Sequence, residues 1–289
     1  MNKYMGKLFK KLRLSRGITL EEATGDYFSV AQLSKFENGI SDITITKLLY
    51  ALNAIAVNLE EFITISNSYK QLFFKQLAIE LKQAHDTQDI QTLINLYNQE
   101  KNLAFSSKHQ KFHALNSIVI ATTINKLDSN FPVSEIAKRK ISDYLFSVSQ
   151  WGNYELFLIL NNFPQTETDL LISITNEMLD RTEFYQNVPE NKMLVLKILI
   201  NSLNQCSDNN KFKESRKFIE WIEELIDESD LYNKVPFLYA KGYYQIKLGN
   251  QEEGKQMMKD AIDVFHKLDC FNLEKLYKND YIEMFKEDI

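Results

Sequence analysis

The chain has 289 residues, of which 44% are hydrophobic and 25% charged, and its formal net charge is −5. This is too long for one small domain and apolar enough for a packed core, so at least two domains are expected, and the acidic balance excludes a basic coat protein for nucleic acid. The two cysteines, Cys206 and Cys270, lie far apart without metal-ligand spacing, which excludes a disulfide-dense secreted fold and suits a reducing cytoplasm.

In chain order, the first expected helix runs from Asn2 to Arg16, where Met5, Phe9 and Leu12 recur at helical spacing, and Gly17 ends it. Thr19 is an N-cap, and Glu22 three residues on completes a capping box for a short helix, Thr19–Gly25. Ser29 caps a third helix, Val30–Asn38, which Asn38-Gly39 stops. Thr44–Ala54 and Leu59–Ile63 make a fourth and a fifth. The sequence therefore predicts a five-helix head over residues 1–65.

A helix that reads DNA must bury one side and present short or hydrogen-bonding side chains on the other, because bulk would hold it out of the major groove. On the third helix Leu33 and Phe36 supply the buried side, and Val30, Ala31, Ser34 and Lys35 the other. Lys3, Lys7, Lys10, Lys11, Arg13 and Arg16 precede the first acid, Glu21, a cluster suited to phosphate contacts, which give affinity and register without sequence information. A basic run alone is as often a solvated face; followed by two short capped helices it points to a helix-turn-helix. The candidate DNA contacts are Lys10, Lys11, Arg16, Thr19, Ser29, Val30, Ala31, Gln32, Ser34 and Lys35, and the partner is double-stranded DNA.

Gly6, Phe9, Lys10, Leu12 and Arg13, then Thr19, Glu21 and Glu22, then Leu33, Ser34, Glu37, Asn38 and Gly39 resemble the motifs of the Xre/Cro-type helix-turn-helix. Phe9 replaces an aliphatic residue, and Ala23-Thr24 stands where that family carries Leu-Ala. The resemblance implies that Arg13 pairs with Glu37 and bridges the first and third helices, which keeps Arg13 off the DNA-contact set.

A polar stretch, TISNS at Thr64–Ser68, joins the head to the remainder, with Ser68 as the next cap. From Tyr69 onward the pattern is helical: Tyr69–Ala84, Ile90–Gln99, Lys108–Leu127, Val133–Ser149, Tyr154–Asn162, Glu167–Phe184, Glu190–Gln205, Lys211–Glu228, Lys234–Leu248, Glu252–Leu268 and Asn272–Phe285. Pro132, Pro164, Pro189 and Pro236 stand where helices should start or end. Long amphipathic segments alternating with short turns predict paired helices stacked as a solenoid over residues 66–289. The clearest pair is AKGYYQIKLGNQEEGKQMMKDAIDVFHKL, which resembles a tetratricopeptide repeat. There Gly242 marks a close helix crossing, Gly249 the turn, and Ala261 and Phe265 the packing face. The fold class is thus all-α: a helix-turn-helix head followed by a right-handed tetratricopeptide-like repeat domain.

Tyr144–Leu158 (YLFSVSQWGNYELFL) and Pro236–Asn250 (PFLYAKGYYQIKLGN) resemble segments of the Rgg-type regulators of Gram-positive bacteria, as do the length and the order of domains. The resemblance implies a cytoplasmic, homodimeric quorum-sensing transcription regulator whose repeat domain binds a short secreted peptide pheromone. An extended peptide presents unpaired backbone groups, so amide side chains on a concave face would serve it. Asn161 and Asn201 lie among apolar residues, Lys197 and Asn204 share a helix face with Asn201, and Tyr239, Tyr243 and Tyr244 offer broad surfaces with polar tips. Each of these residues also reads as ordinary helix bridging or packing. Asn recurs at both matching positions in the Rgg-type relatives, which implies peptide contact. A module that tethers a protein partner to DNA is the alternative.

No P-loop, G-x-G-x-x-G or G-x-S-x-G is present, and the eight glycines do not cluster. His109 and His113 have i,i+4 spacing without an acid between them or an evident third ligand, so they read as solvated or core histidines. No enzyme activity, catalytic residue, metal or cofactor is expected. No signal peptide or membrane-spanning run of roughly 20 apolar residues is read.

Overall fold

The computed structural model describes residues 2–66, 73–162, 166–182 and 188–287. Sixteen α-helices and no strand occur among the described residues. The expected cap at Ser68, the start at Tyr69, the end at Phe184 and the break at Pro164 lie outside them. The chain divides into two compact units, residues 1–80 and 81–289, each described by itself below.

In the first unit α1 (Asn2–Ser15), α2 (Leu20–Thr24), α3 (Val30–Glu37), α4 (Ile45–Ala54) and α5 (Leu59–Ser66) enclose one core. Phe9 is fully buried, with its ring 6.3 Å from that of Phe36 and 6.5 Å from that of Phe62. Leu33, Ala51, Leu52 and Ile55 close around them. The turn after α1 is made at Gly17, whose φ of 69° favours glycine, with Ile18 N–H donating to the Arg13 carbonyl. The Thr19–Glu22 capping box forms as read: Thr19 Oγ1 accepts from Glu22 N–H and Glu22 accepts from Thr19 N–H at 2.7 Å. A Cβ on Gly6 would meet the Phe36 carbonyl oxygen at 1.9 Å, so only glycine allows α1 and α3 to cross this closely. α6 (Phe73–Asp86) carries the division between the two units.

In the second unit α7 (Ile90–Ser106) pairs with α8 (Gln110–Leu127), and α9 (Glu135–Ser147) with α10 (Asn153–Asn162). α11 (Thr168–Thr182) packs on α12 (Pro189–Asp208), which also meets α13 (Phe212–Leu225). α14 (Leu231–Lys247) pairs with α15 (Gln251–Lys267), on which α16 (Phe271–Phe285) rests. One layer runs through α8, α10, α12 and α14, each packed on the next. This is the stacked-pair arrangement of a helical repeat.

Two buried clusters fix the early pairs. Trp151 is wholly buried, and its Nε1 donates to the carbonyls of Leu145 and Val148, so it holds the turn between α9 and α10. Glu100 of α7 accepts from Asn116 of α8 and lies 2.9 Å from Nδ1 of His113; Tyr154 of α10 donates to Asn116. His113 thus serves the core, while His109 is exposed.

At the last pair, a Cβ on Gly242 would meet the Gly254 carbonyl oxygen at 2.7 Å, and one on Gly254 would meet the Gly242 oxygen at 2.5 Å. The crossing read at Gly242 is therefore made by two glycines, one on each helix. Gly249 turns the chain with φ 99°, and Ala261 and Phe265 are buried. Pro236 corrects the sequence reading: it lies inside α14 rather than at its start. Asp230 caps the helix earlier, its side chain accepting from Asn233 N–H. The carbonyl that the proline leaves without a helical donor, four residues back, belongs to exposed Tyr232.

Candidate DNA interface and candidate peptide site

Ser29 caps α3 by accepting from Gln32 N–H, and Gly39, with φ 69°, ends it as Ile40 N–H donates to the Lys35 carbonyl. Leu33 and Phe36 are buried beneath this helix, while Ala31, Gln32 and Lys35 are exposed and Val30 and Ser34 half-buried. Arg13 grips Glu37 in a two-pronged ion pair, Nε to Oε1 at 2.6 Å and Nη2 to Oε2 at 2.8 Å, and its Nη1 donates to the Ile18 carbonyl at 2.7 Å. Both side chains are buried. One guanidinium thus ties together α1, the turn after it and the far end of α3.

The other head candidates are outward but unequal. Lys11 and Arg16 are exposed and Lys10 half-exposed; Arg16 rests its guanidinium on the Leu12 carbonyl. The Thr19 hydroxyl is engaged in its capping box, accepting from Glu22 N–H and donating to the Glu22 carboxylate. Sequence reasoning missed Lys47 of α4, whose ammonium donates to Gln32 Oε1 at 2.8 Å. It points the Gln32 amide by fixing its oxygen. No motif marked Lys47, because the contact spans two helices.

In the second unit a cavity of about 600 Å³ opens between α12, α14 and α16. Its lining includes Asn201, Asn204, Gln205, Asp208 and Asn209 from α12 and its cap, Tyr239 and Tyr243 from α14, and Asp280 and Met284 from α16. Four of the sequence-predicted residues, Asn201, Asn204, Tyr239 and Tyr243, meet there. The others do not line it. Asn161, on α10, is half-buried and donates Nδ2 to the Phe157 carbonyl at 2.8 Å. Lys197 sits over the Tyr232 ring at 5.0 Å, and Tyr244 packs edge-on to Phe212.

Tyrosine–carboxylate pairs organise the cavity. Tyr243 donates to Asp208 at 2.6 Å, and Lys247 donates to the same oxygen at 3.0 Å. These bonds, the tyrosine's first, hold the Asp208 carboxyl below its ordinary range. Tyr239, almost wholly buried, donates to Asp280 at 2.7 Å, and burial with this bond pushes its phenol far up. Gln205, Asp208, Asn209, Asp280 and Met284 were missed in sequence. The run from Asn201 through Asn204 and Gln205 to Asp208, all one helix face, was the available signal; nothing local marks Asp280.

Among the described residues no group of three or more His, Cys, Asp or Glu is placed to hold a metal ion, and no single helix is long and apolar enough to cross a membrane.

Residues 91–279 match the model of the C-terminal domain of the HTH-type transcriptional regulator Rgg. The chain is similar to Rgg2, the SHP pheromone receptor of Streptococcus dysgalactiae. A point-variant crystal structure of Rgg2 is 30% identical, with 96% of this chain and 98% of that one covered and a TM-score of 0.83. A crystal structure of Rgg2 without that substitution is 29% identical over 97% of this chain and 99% of that one, also at a TM-score of 0.83. The PrgX/cCF10 complex, at 12% identity and TM-score 0.74 over 98% and 99% of the two chains, shares the fold. A family model covering most of the second unit, and likeness to Rgg2 across nearly both whole chains, place the protein: it belongs to the Rgg family of HTH-type transcriptional regulators.

Proposed function

We propose that this chain is a cytoplasmic quorum-sensing regulator that binds promoter DNA as a homodimer and is controlled by a short secreted peptide. In this reading residues 1–65 form the DNA-binding domain and residues 66–289 the peptide-binding and dimerisation domain. The observation that carries it is the cavity between α12, α14 and α16, lined by four amides, two tyrosines and two carboxylates. An extended peptide has N–H and C=O groups that each cost about 1–3 kcal/mol if buried unpaired, and amides can answer both kinds at once. The volume suits a few residues of peptide rather than a folded protein partner. The likeness to a structure of an SHP pheromone receptor supports the same reading.

Asn201, Asn204, Tyr239 and Tyr243 contact the peptide in the cavity; Asn161, Lys197 and Tyr244 meet the remainder of it along the helical layer. DNA is met by α3 through Ser29, Val30, Ala31, Gln32, Ser34 and Lys35, with Lys10, Lys11, Arg16 and Thr19 toward the phosphates. A selection of duplexes from a random pool by the full chain tests the DNA half. The expected result is an enriched site with two-fold related halves. Recovery of unenriched sequence would contradict it.

A further inference from the structure

We infer that the cavity between α12, α14 and α16 holds an ammonium group of the peptide, its N-terminus or a lysine side chain, against Asp208 and Asp280. This rests on the peptide-receptor reading above and adds the chemistry that selects the peptide. Amides at Asn201, Asn204, Gln205 and Asn209 accept and donate alike, so they do not discriminate charge. The carboxylates do, and they are the only ionised groups in the described lining, which holds no lysine or arginine.

Both carboxylates are aimed rather than free. Tyr239 and Tyr243, one turn apart on α14, hold Asp280 and Asp208 respectively. Asp208 Oδ1 accepts both the Tyr243 hydroxyl and Lys247, and Asp280 uses Oδ2 for Tyr239. Among the described residues the other oxygen of each acid takes no hydrogen bond. Lys247 offsets one negative charge of the two, so the lining remains anionic.

Helix geometry supplies an independent contribution of the same sign. Asp208 is the last residue of α12, and Met284 lies in the last turn of α16. Helix C-termini carry partial negative charge and favour cations. The ends of α12 and α16 and two carboxylates thus border one space lined by amides.

The experiment passes a pool of octapeptides built from Gly, Val, Ile, Leu, Phe, Lys and Glu over the immobilised full chain. Retained peptides are remade N-acetylated, and separately with norleucine for lysine. One of these two changes should weaken binding about tenfold or more, the size of one charge-assisted hydrogen bond, and which one does so identifies the source of the ammonium. The Asp208→Asn, Asp280→Asn double variant should lose the preference for the free amine. Retained peptides indifferent to both changes on the native chain, or a retained set rich in Glu and without dependence on an amine, would overturn the inference while leaving a peptide receptor. Retention of no peptide at all would overturn the peptide-receptor reading, and this inference with it.

Discussion

Arg13 and Glu37 show how much one side-chain pair can decide. Their charges are buried at 2.6 and 2.8 Å, so removing one partner strands the other in a dry place. Glu37→Ala should destabilise the head by about 3–5 kcal/mol, read as a lower urea midpoint. Lys35 is the opposite case, exposed on the outer side of α3 that the proposal turns toward DNA. Lys35→Ala should keep the fold and lose about 1–3 kcal/mol of discrimination if it meets a guanine edge. Filter binding to the selected site and to random duplex checks this; equal affinity to the native chain on both would remove Lys35 from the interface. Asp208 sets a pH dependence. Its carboxyl is held below the ordinary range by Tyr243 and Lys247, so its stabilisation is present above the unfolded value and disappears as pH falls through the folded one. The stability gap between the native chain and Asp208→Asn should accordingly be open at neutral pH and close on acidification, measured by urea melts across that range.

Among the elements, those with strong local chemistry were legible and those decided by distant contacts were not. Thr19 with Glu22, Ser29, Gly17 and Gly39 mark the ends of α1, α2 and α3 in sequence, because caps are chosen by residues next to one another. Pro236 misled the reading of α14, because Asp230 caps the helix before the proline and the residue four back that loses its helical donor, Tyr232, is exposed. The partner of Gly242 was hidden for another reason: Gly254 lies on the next helix, and only the crossing shows that both must lack a side chain. Gly6 belongs to the same class, and its consequence is testable. In Gly6→Ala the added carbon would lie 1.9 Å from the Phe36 oxygen, so α3 must move away from α1. Overpacking of this kind costs about 1–3 kcal/mol, and DNA affinity should fall with it. Native DNA binding by Gly6→Ala would show that the pose of α3 does not depend on this crossing.

At the scale of the whole molecule, the order of the two units and the helical class follow from periodicity, while the cavity does not, because α12 and α16 are brought together only by the stacking of the helices between them. Four of its lining residues could be named from an amide run and a tyrosine-rich segment; Asp280 could not, since nothing around it in the chain differs from an ordinary exposed helix face. In the proposed reading the head meets only a few base pairs and needs a second copy for a useful site, so sedimentation at micromolar concentration should give a homodimer. A monomer both with and without DNA would contradict this. Both cysteines lie after the head, so no disulfide within the chain pair can join two heads. The most direct measurement of the central claim is calorimetry of one octapeptide retained by the native chain, repeated on the Asn201→Ala, Asn204→Ala double variant after its melting temperature is shown to be native. The account predicts that binding is lost on the variant, because the peptide backbone in the cavity loses its amide partners. Unchanged affinity would contradict the placement of the peptide between α12, α14 and α16.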